Sequence, residues 1–300
     1  MRKIVCLLSS LLLVAPLNAR PKGMTYNAQE FQDVPSVAKK LVEVKVDALK
    51  KFNVKKVIIA ECFGEFMESK EKADAVGGFA WDGGTTFKTT VKMGSDYYET
   101  VTNAVYDAVV DALKAGGIEV VEKDAVINNA AYAELGLKQE SAGGGYKKGG
   151  LTSKASTTKT LKRSATDMGL ITGEFTGPLK MAKLKKLLPQ IAKDNGADAA
   201  LKIGFFVDQG EDFAPVLSRL NVSMDCNLIE QNAGRGRVEY WFKTIQVALM
   251  DMQTPLLIDA AVKVKKDPFN AELYHQSLMT LIDSVVNCYK SVLEEAKAQP

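Results

Sequence analysis

Few residues in this sequence combine a reactive side chain with the spacing that chemistry needs. Phe79, Trp81 and Asp82 stand among Gly77, Gly78, Gly83 and Gly84. An aromatic and an acid on a glycine-rich loop are the parts of a small-ligand site, and Asp82 with Glu61 would supply paired carboxylates for acid and base work if the fold brought them together. The glycines do not form GxGxxG between a strand and a helix, so they give no dinucleotide site. A second concentration of chemistry is basic. Between Lys147 and Lys186 there are ten Lys or Arg against two acids, Asp167 and Glu174. Its insertion part, Lys147, Lys148, Lys154, Lys159, Lys162 and Arg163, is a candidate partner surface for an anionic envelope component, although the Gly/Ser/Thr enrichment favours a solvated loop kept soluble by the same lysines. Only Tyr146 offers stacking there, which argues against nucleic acid, and no GK[ST] follows Gly145–Gly150 to make a phosphate loop. His275 is the only histidine and has no nucleophile motif around it. Cys62, Cys226 and Cys288 lack CxxC spacing and read as buried thiols. No catalytic set, cofactor site or metal site is expected from these residues.

The leader narrows the compartment. Arg2 and Lys3 precede an apolar run from Ile4 to Pro16, and Leu17-Asn18-Ala19 ends on a small residue. About thirteen apolar residues are too few for a membrane span, which takes roughly 20. The pattern is that of a signal peptide over 1–19, giving an exported periplasmic or extracellular product. Cys6 lies too early to be a lipidated cysteine, so no lipid anchor is expected. The formal charge is +3, two of which belong to Arg2 and Lys3, so no global charge calls for nucleic acid or membrane. With 46% hydrophobic and 25% charged residues the chain has globular composition.

The elements that must position these residues can be read in order. Residues 20–35 are polar and irregular, a flexible arm. Val37, Leu41, Val44, Ala48 and Phe52 form one face of a helix from Ser36 to Phe52. Val54 to Phe63 is a strand buried on both faces. Irregular insertions follow at about 64–94 and 139–177. Between them lie a helix from Asp96 to the stop at Gly116-Gly117 and a strand from Ile118 to Val126, which together with the first strand make a βαβ-like unit. Pro178 opens a basic amphipathic helix that Pro189 interrupts and Asn195-Gly196 closes. Strands follow over Ala199–Val207 and Leu220–Ile229. Val238–Val264 reads as two long strands reversing at Thr254-Pro255, completing an antiparallel meander. A terminal helix after Asn270 must cover the sheet. The fold class is therefore α/β (α+β): a mixed central sheet packed by helices, with a C-terminal meander and a terminal helix, in a single domain over 36–297.

DALKAGGIEVVEKDAV, NGADAALKIGFF and VALMDMQTPLLID, in this element order, resemble the periplasmic domain family that includes CsgG, LpoB, PelC and the N-terminal domain of TolB. In that family an Ala-Asp pair precedes a hydrophobic strand, as Ala197-Asp198 does here, and Asp-x-x-Thr-Gly turns the final hairpin. Asp251–Thr254 matches that turn, with Pro255 in place of Gly. The interval from Val207 to Leu220 is too short for a CsgG membrane hairpin, whose strands each need about 9–11 residues. The resemblance implies a non-enzymatic CsgG-like domain that binds an envelope protein or self-associates in an export or envelope-maintenance complex. The alternative is a secreted enzyme or small-ligand binder using loop 77–84.

Overall fold

A computed structural model of the chain describes residues 23–73, 86–91, 93–147, 155–174, 177–210, 213–225, 246–258 and 269–298. In chain order the elements are β1 (Met24–Thr25), α1 (Val34–Leu41), β2 (Val42–Val44), α2 (Val46–Lys51), β3 (Lys56–Ala73), β4 (Thr86–Thr90), α3 (Ser95–Ala115) and β5 (Glu119–Val120). Then come α4 (Lys123–Ile127), α5 (Ala130–Leu135), β6 (Glu140–Lys147), β7 (Ala155–Ser164), α6 (Pro178–Asp194), β8 (Ala199–Gln209), β9 (Pro215–Asp225), β10 (Gln246–Met252), β11 (Leu256–Leu257) and α7 (Ala271–Ala298).

The 18-residue β3 is the axis of a mixed sheet ordered β1-β11-β9-β8-β3-β7-β6. β3 runs parallel to β8 and to β5, and antiparallel to β7 and β4. Its start is fixed by Asp198, whose Oδ2 accepts the backbone N–H groups of Lys55 and Lys56 at 2.8 and 2.9 Å. β8, β9 and β10 are successive antiparallel neighbours, a meander one strand earlier than the expected one, whose last hairpin is absent, and α7 packs over it. The mixed α/β class is thus observed.

Several local expectations are corrected. The arm at 20–35 is tied down from residue 23: β1 pairs with β11, Tyr26 N–H reaches Leu257 O at 2.7 Å, and Tyr26 and Phe31 pack on the core. The helix expected over 36–52 is split, because the β-branched Val42 and Val44 are drawn into extended pairing with β10. Of the strand expected from Ile118 to Val126, only Glu119–Val120 pairs, after which α4 begins. Pro189 sits inside α6 without ending it.

The insertions are not irregular throughout. β3 continues past Gly64 to Ala73, and β6 and β7 form an antiparallel pair. Period-2 hydrophobicity fades in these strands because helices do not cover both faces there, while flanking strands still satisfy the backbone. Most telling, Thr254-Pro255 is no reversal. β10 and β11 both run antiparallel to β9, Asp251 opposite Asn221 and Leu256 opposite Leu217, as one strand position with a break. Proline, lacking an N–H, occupies the break where the outer neighbour changes from β2 to β1.

The two sides of the sheet are covered unequally. On one side α1, α3 and α7 bury Val57, Ile59, Phe66, Leu201, Ile203, Phe205, Leu220 and Val222. Tyr289 of α7 donates to Leu220 O at 2.5 Å across that interface. On the other side α4, α5 and α6 pack over Ile58, Ala60 and Ala200, at the beginning of β3 and β8. Beyond Ala60 no described helix continues this second layer.

Candidate functional site

Where the second layer ends, the sheet carries Glu61, the most buried charged residue among those described, and the buried Lys202. The register between β3 and β8 slips by one residue between Ile59 and Glu61. Such an extra residue re-aims a side chain, and Glu61 turns toward the same layer as Ala60. Its carboxylate is fully buried. Oε1 accepts the N–H groups of Ile171 and Thr172 at 2.6 and 2.7 Å, and Oε2 accepts the Thr172 hydroxyl at 2.7 Å. Lys202 is its cross-strand neighbour in register and is only 8% exposed. Burial pushes the Glu61 carboxyl above its ordinary value, opposed by the Thr172 hydrogen bonds, the Lys202 charge and the Ile171 N–H.

The segment that Glu61 holds is pinned repeatedly. Tyr132 of α5 donates to Ala60 O at 3.2 Å and accepts Gly169 N–H at 3.1 Å. Burial raises its phenol to about 12, so it remains a donor at neutral pH. Ser164 Oγ donates to Met168 O at 2.7 Å, and Ala165 and Leu170 donate their N–H groups to Cys62 O and Lys138 O. Glu61 is therefore a clasp joining 165–174 to the sheet. Its oxygens are engaged by donors, and among the described residues its charged neighbour is Lys202; Asp82, the second carboxylate proposed for acid and base work, lies outside them.

Past the clasp the same sheet face continues as a strip of mixed character. Phe63 lies against Gly204, where an added Cβ would come within 3.0 Å of the ring. Lys162 Nζ stands 5.7 Å from the Phe63 ring centroid and 3.9 Å from Glu65 Oε2, and Thr160 donates to Glu65 Oε1 at 2.9 Å. Alternation along β8 and β9 adds Phe206, Asn221 and Arg219 to this face. Phe206 and Asn221 are half-buried and Arg219 is exposed. Phe63 itself is buried, so the accessible part of the strip is the half-buried Phe206 and Asn221 with the exposed Arg219, beside the Glu65–Lys162 pair.

The basic tract does not gather into one patch. Lys147 belongs to β6, and Lys148 and Lys154 fall outside the described residues, as do Phe79, Trp81 and Asp82. Lys159, Lys162 and Arg163 all lie on β7 but not on one side of it. Lys162 faces the strip, whereas Arg163 faces α3 in an ion pair with Glu99 and has Nη1 3.8 Å from Glu140. Glu99 also accepts the Thr166 hydroxyl at 2.6 Å, and its carboxyl is lowered by Thr166 and Arg163. That network fastens a helix to the sheet. His275 is half-buried with Nδ1 unpartnered, edge-on to Tyr97 at 5.6 Å, in an aromatic setting without a nucleophile. Cys62 and Cys288 are buried free thiols, and Cys226 falls outside the described residues. A cleft of about 600 Å³ between α3 and α4 is rimmed by Asp107, Asp111, Glu122 and Asp124 together with Lys114 and Lys123. Among the described residues no three candidate ligands gather around a metal position.

Comparison with protein-family models, curated proteins and solved structures gives no significant match. Glu61 is visible in the sequence as a carboxylate, but its partners are not. The signal that could have found them is a charge inside each of two apolar strand runs, Glu61 in VIIAECF and Lys202 in AALKIGFF.

Proposed function

We propose that this is an exported, non-enzymatic envelope protein whose CsgG-like domain binds a partner or a second copy of itself in an export or envelope-maintenance complex. One observation carries the reading: the sheet face is sealed by α4–α6 only over its first part, and beyond the buried Phe63 the half-buried Phe206 and Asn221 and the exposed Arg219 continue it without a described helix above. Aromatic surface mixed with Arg and paired charges on a rigid base is the composition of binding faces. Glu61 and Tyr132 hold the edge of this face in place, a structural use of buried polar groups that positions neighbours for contact. The leader over 1–19 supports export, and the element order with Ala197-Asp198 supports the family assignment.

Light scattering of the purified protein, followed by cross-linking in envelope extracts, tests the proposal. The expected result is a stable oligomer or a defined adduct with one envelope protein, lost on Phe206→Glu while thermal unfolding stays cooperative. A monomer without adducts would overturn it, as would association indifferent to Phe206→Glu.

A further inference from the structure

We infer that the outward side of α6 is a docking surface for an anionic lipid bilayer. This inference is separate from the partner-binding strip and does not depend on it.

The helix divides sharply. Leu184, Leu187, Leu188, Ile191 and Ala192 are buried in the second layer, and Lys180, Lys183, Lys186 and Lys193 point to solvent. No acid occurs in α6 before Asp194. Lys180 and Lys183 donate to the main-chain carbonyls of Glu174 and Glu134 at 3.0 and 2.6 Å, which orients the ammonium groups without neutralising them. Among the described residues no carboxylate forms an ion pair with any of these four lysines. The contrast with β7 is direct, because there Lys162 and Arg163 already face Glu65, Glu99 and Glu140. Among the described residues, these four lysines of α6 form a group of cations that no ion pair offsets.

Charge alone would suit any polyanion, and the second observation selects a bilayer. Leu179, in the first turn, is 87% exposed and is the one exposed large hydrophobic side chain among the described residues. It shares a side of the helix with Lys183 and Lys186, one and two turns further along. An apolar side chain flanked by lysines matches a headgroup layer, where the ammonium groups meet lipid phosphates and the leucine enters the acyl boundary. α6 offers no aromatic ring on which a nucleic-acid base would stack. Because its long apolar side is occupied by the core, α6 adsorbs while remaining folded, and the attraction is mainly electrostatic.

The test is co-sedimentation of the purified protein with phosphatidylcholine vesicles, with and without phosphatidylglycerol. At low ionic strength the protein pellets with the anionic vesicles only, and added salt releases it. Lys183→Gln and Lys186→Gln each lower the partition coefficient about fivefold, and Leu179→Ser lowers it further at equal charge. All three positions are exposed, and unchanged unfolding curves confirm the fold. Equal binding to both vesicle types, no binding to either, or indifference to the lysine variants would overturn the inference. Release by low concentrations of inorganic phosphate would assign a free-anion site instead, and loss of binding only on treating vesicles with protease would assign a protein contaminant. Partner association in vesicle-free solution is expected to survive these variants, so either idea can fail alone.

Discussion

The two faces of the sheet use buried polarity in opposite ways. On the side of α1, α3 and α7, a continuous apolar layer does the packing, and polar groups such as Tyr289, Thr102 and the Glu99–Arg163 pair fasten helices to strands. On the other side the apolar layer stops at Ala60 and Ala200, and the next charged residues along β3 and β8 are Glu61 and Lys202. A charge at that boundary costs stability unless it is used, and here it clasps 165–174 and marks where the covered face gives way to the strip. The difference teaches that the first face is sealed by a continuous apolar layer, whereas described helices seal the second only over its first part.

Substitutions should separate the two roles, beginning with the sealed face. Leu281→Ala, a truncation under α7, is expected to remove about 2–5 kcal/mol in urea unfolding. A loss no greater than that of an exposed position would break the comparison at its root. Glu61→Ala should cost about 1–3 kcal/mol, because it strands the N–H groups of Ile171 and Thr172, while Glu61→Gln keeps an acceptor and should cost less. Protease cleavage within 165–174, faster in Glu61→Ala than in Leu281→Ala at matched stability, would locate the effect in the clasp.

The two carboxylates also predict pH responses of opposite sign. Glu61 is raised by burial, so the native state holds its proton more tightly than the unfolded chain does. Its contribution to stability falls as pH rises from the ordinary value of 4.5 through the raised folded value, then levels off. Glu99 is lowered by Thr166 and Arg163, so its contribution is present above 4.5 and is lost as pH falls through the folded value. The difference curve between the wild type and Glu61→Gln should therefore slope opposite to that between the wild type and Glu99→Gln. Slopes of the same sign would mean that the two networks are alike.

How far the sequence discloses this division depends on which force leaves a pattern. Elements packed on the core are legible: α3 and α7 show their periods because apolar side chains repeat on one side, and β8 and the start of β3 read as near-continuous apolar runs because both faces are buried. The continuation of β3 past Gly64 and the β6–β7 pair are not, since strand neighbours rather than apolar alternation hold them. Thr254-Pro255 misleads for a related reason, as proline marks both a turn and a break between strand segments, and only the shared partner β9 distinguishes them. The clasp depends on a one-residue slip opposite β8 and on a loop about 110 positions away, neither of which has a local signature.

The smallest stability effects are expected on the strip. Lys162→Gln loses a partly exposed contact with Glu65, and Arg219→Glu alters an exposed site, so each should change stability by no more than about 1 kcal/mol. Both should nevertheless weaken association in light scattering, and preserved association would remove the reason for assigning the strip a binding role.

The most direct measurement places a photo-crosslinking side chain at Phe206 on the strip and, separately, at Asp111 on the outer surface of α3. Illumination in the envelope or at high protein concentration should give a discrete adduct from position 206 and none from position 111. Adducts from 111 alone, or equally from both, would contradict the claim that the half-covered face is the binding face.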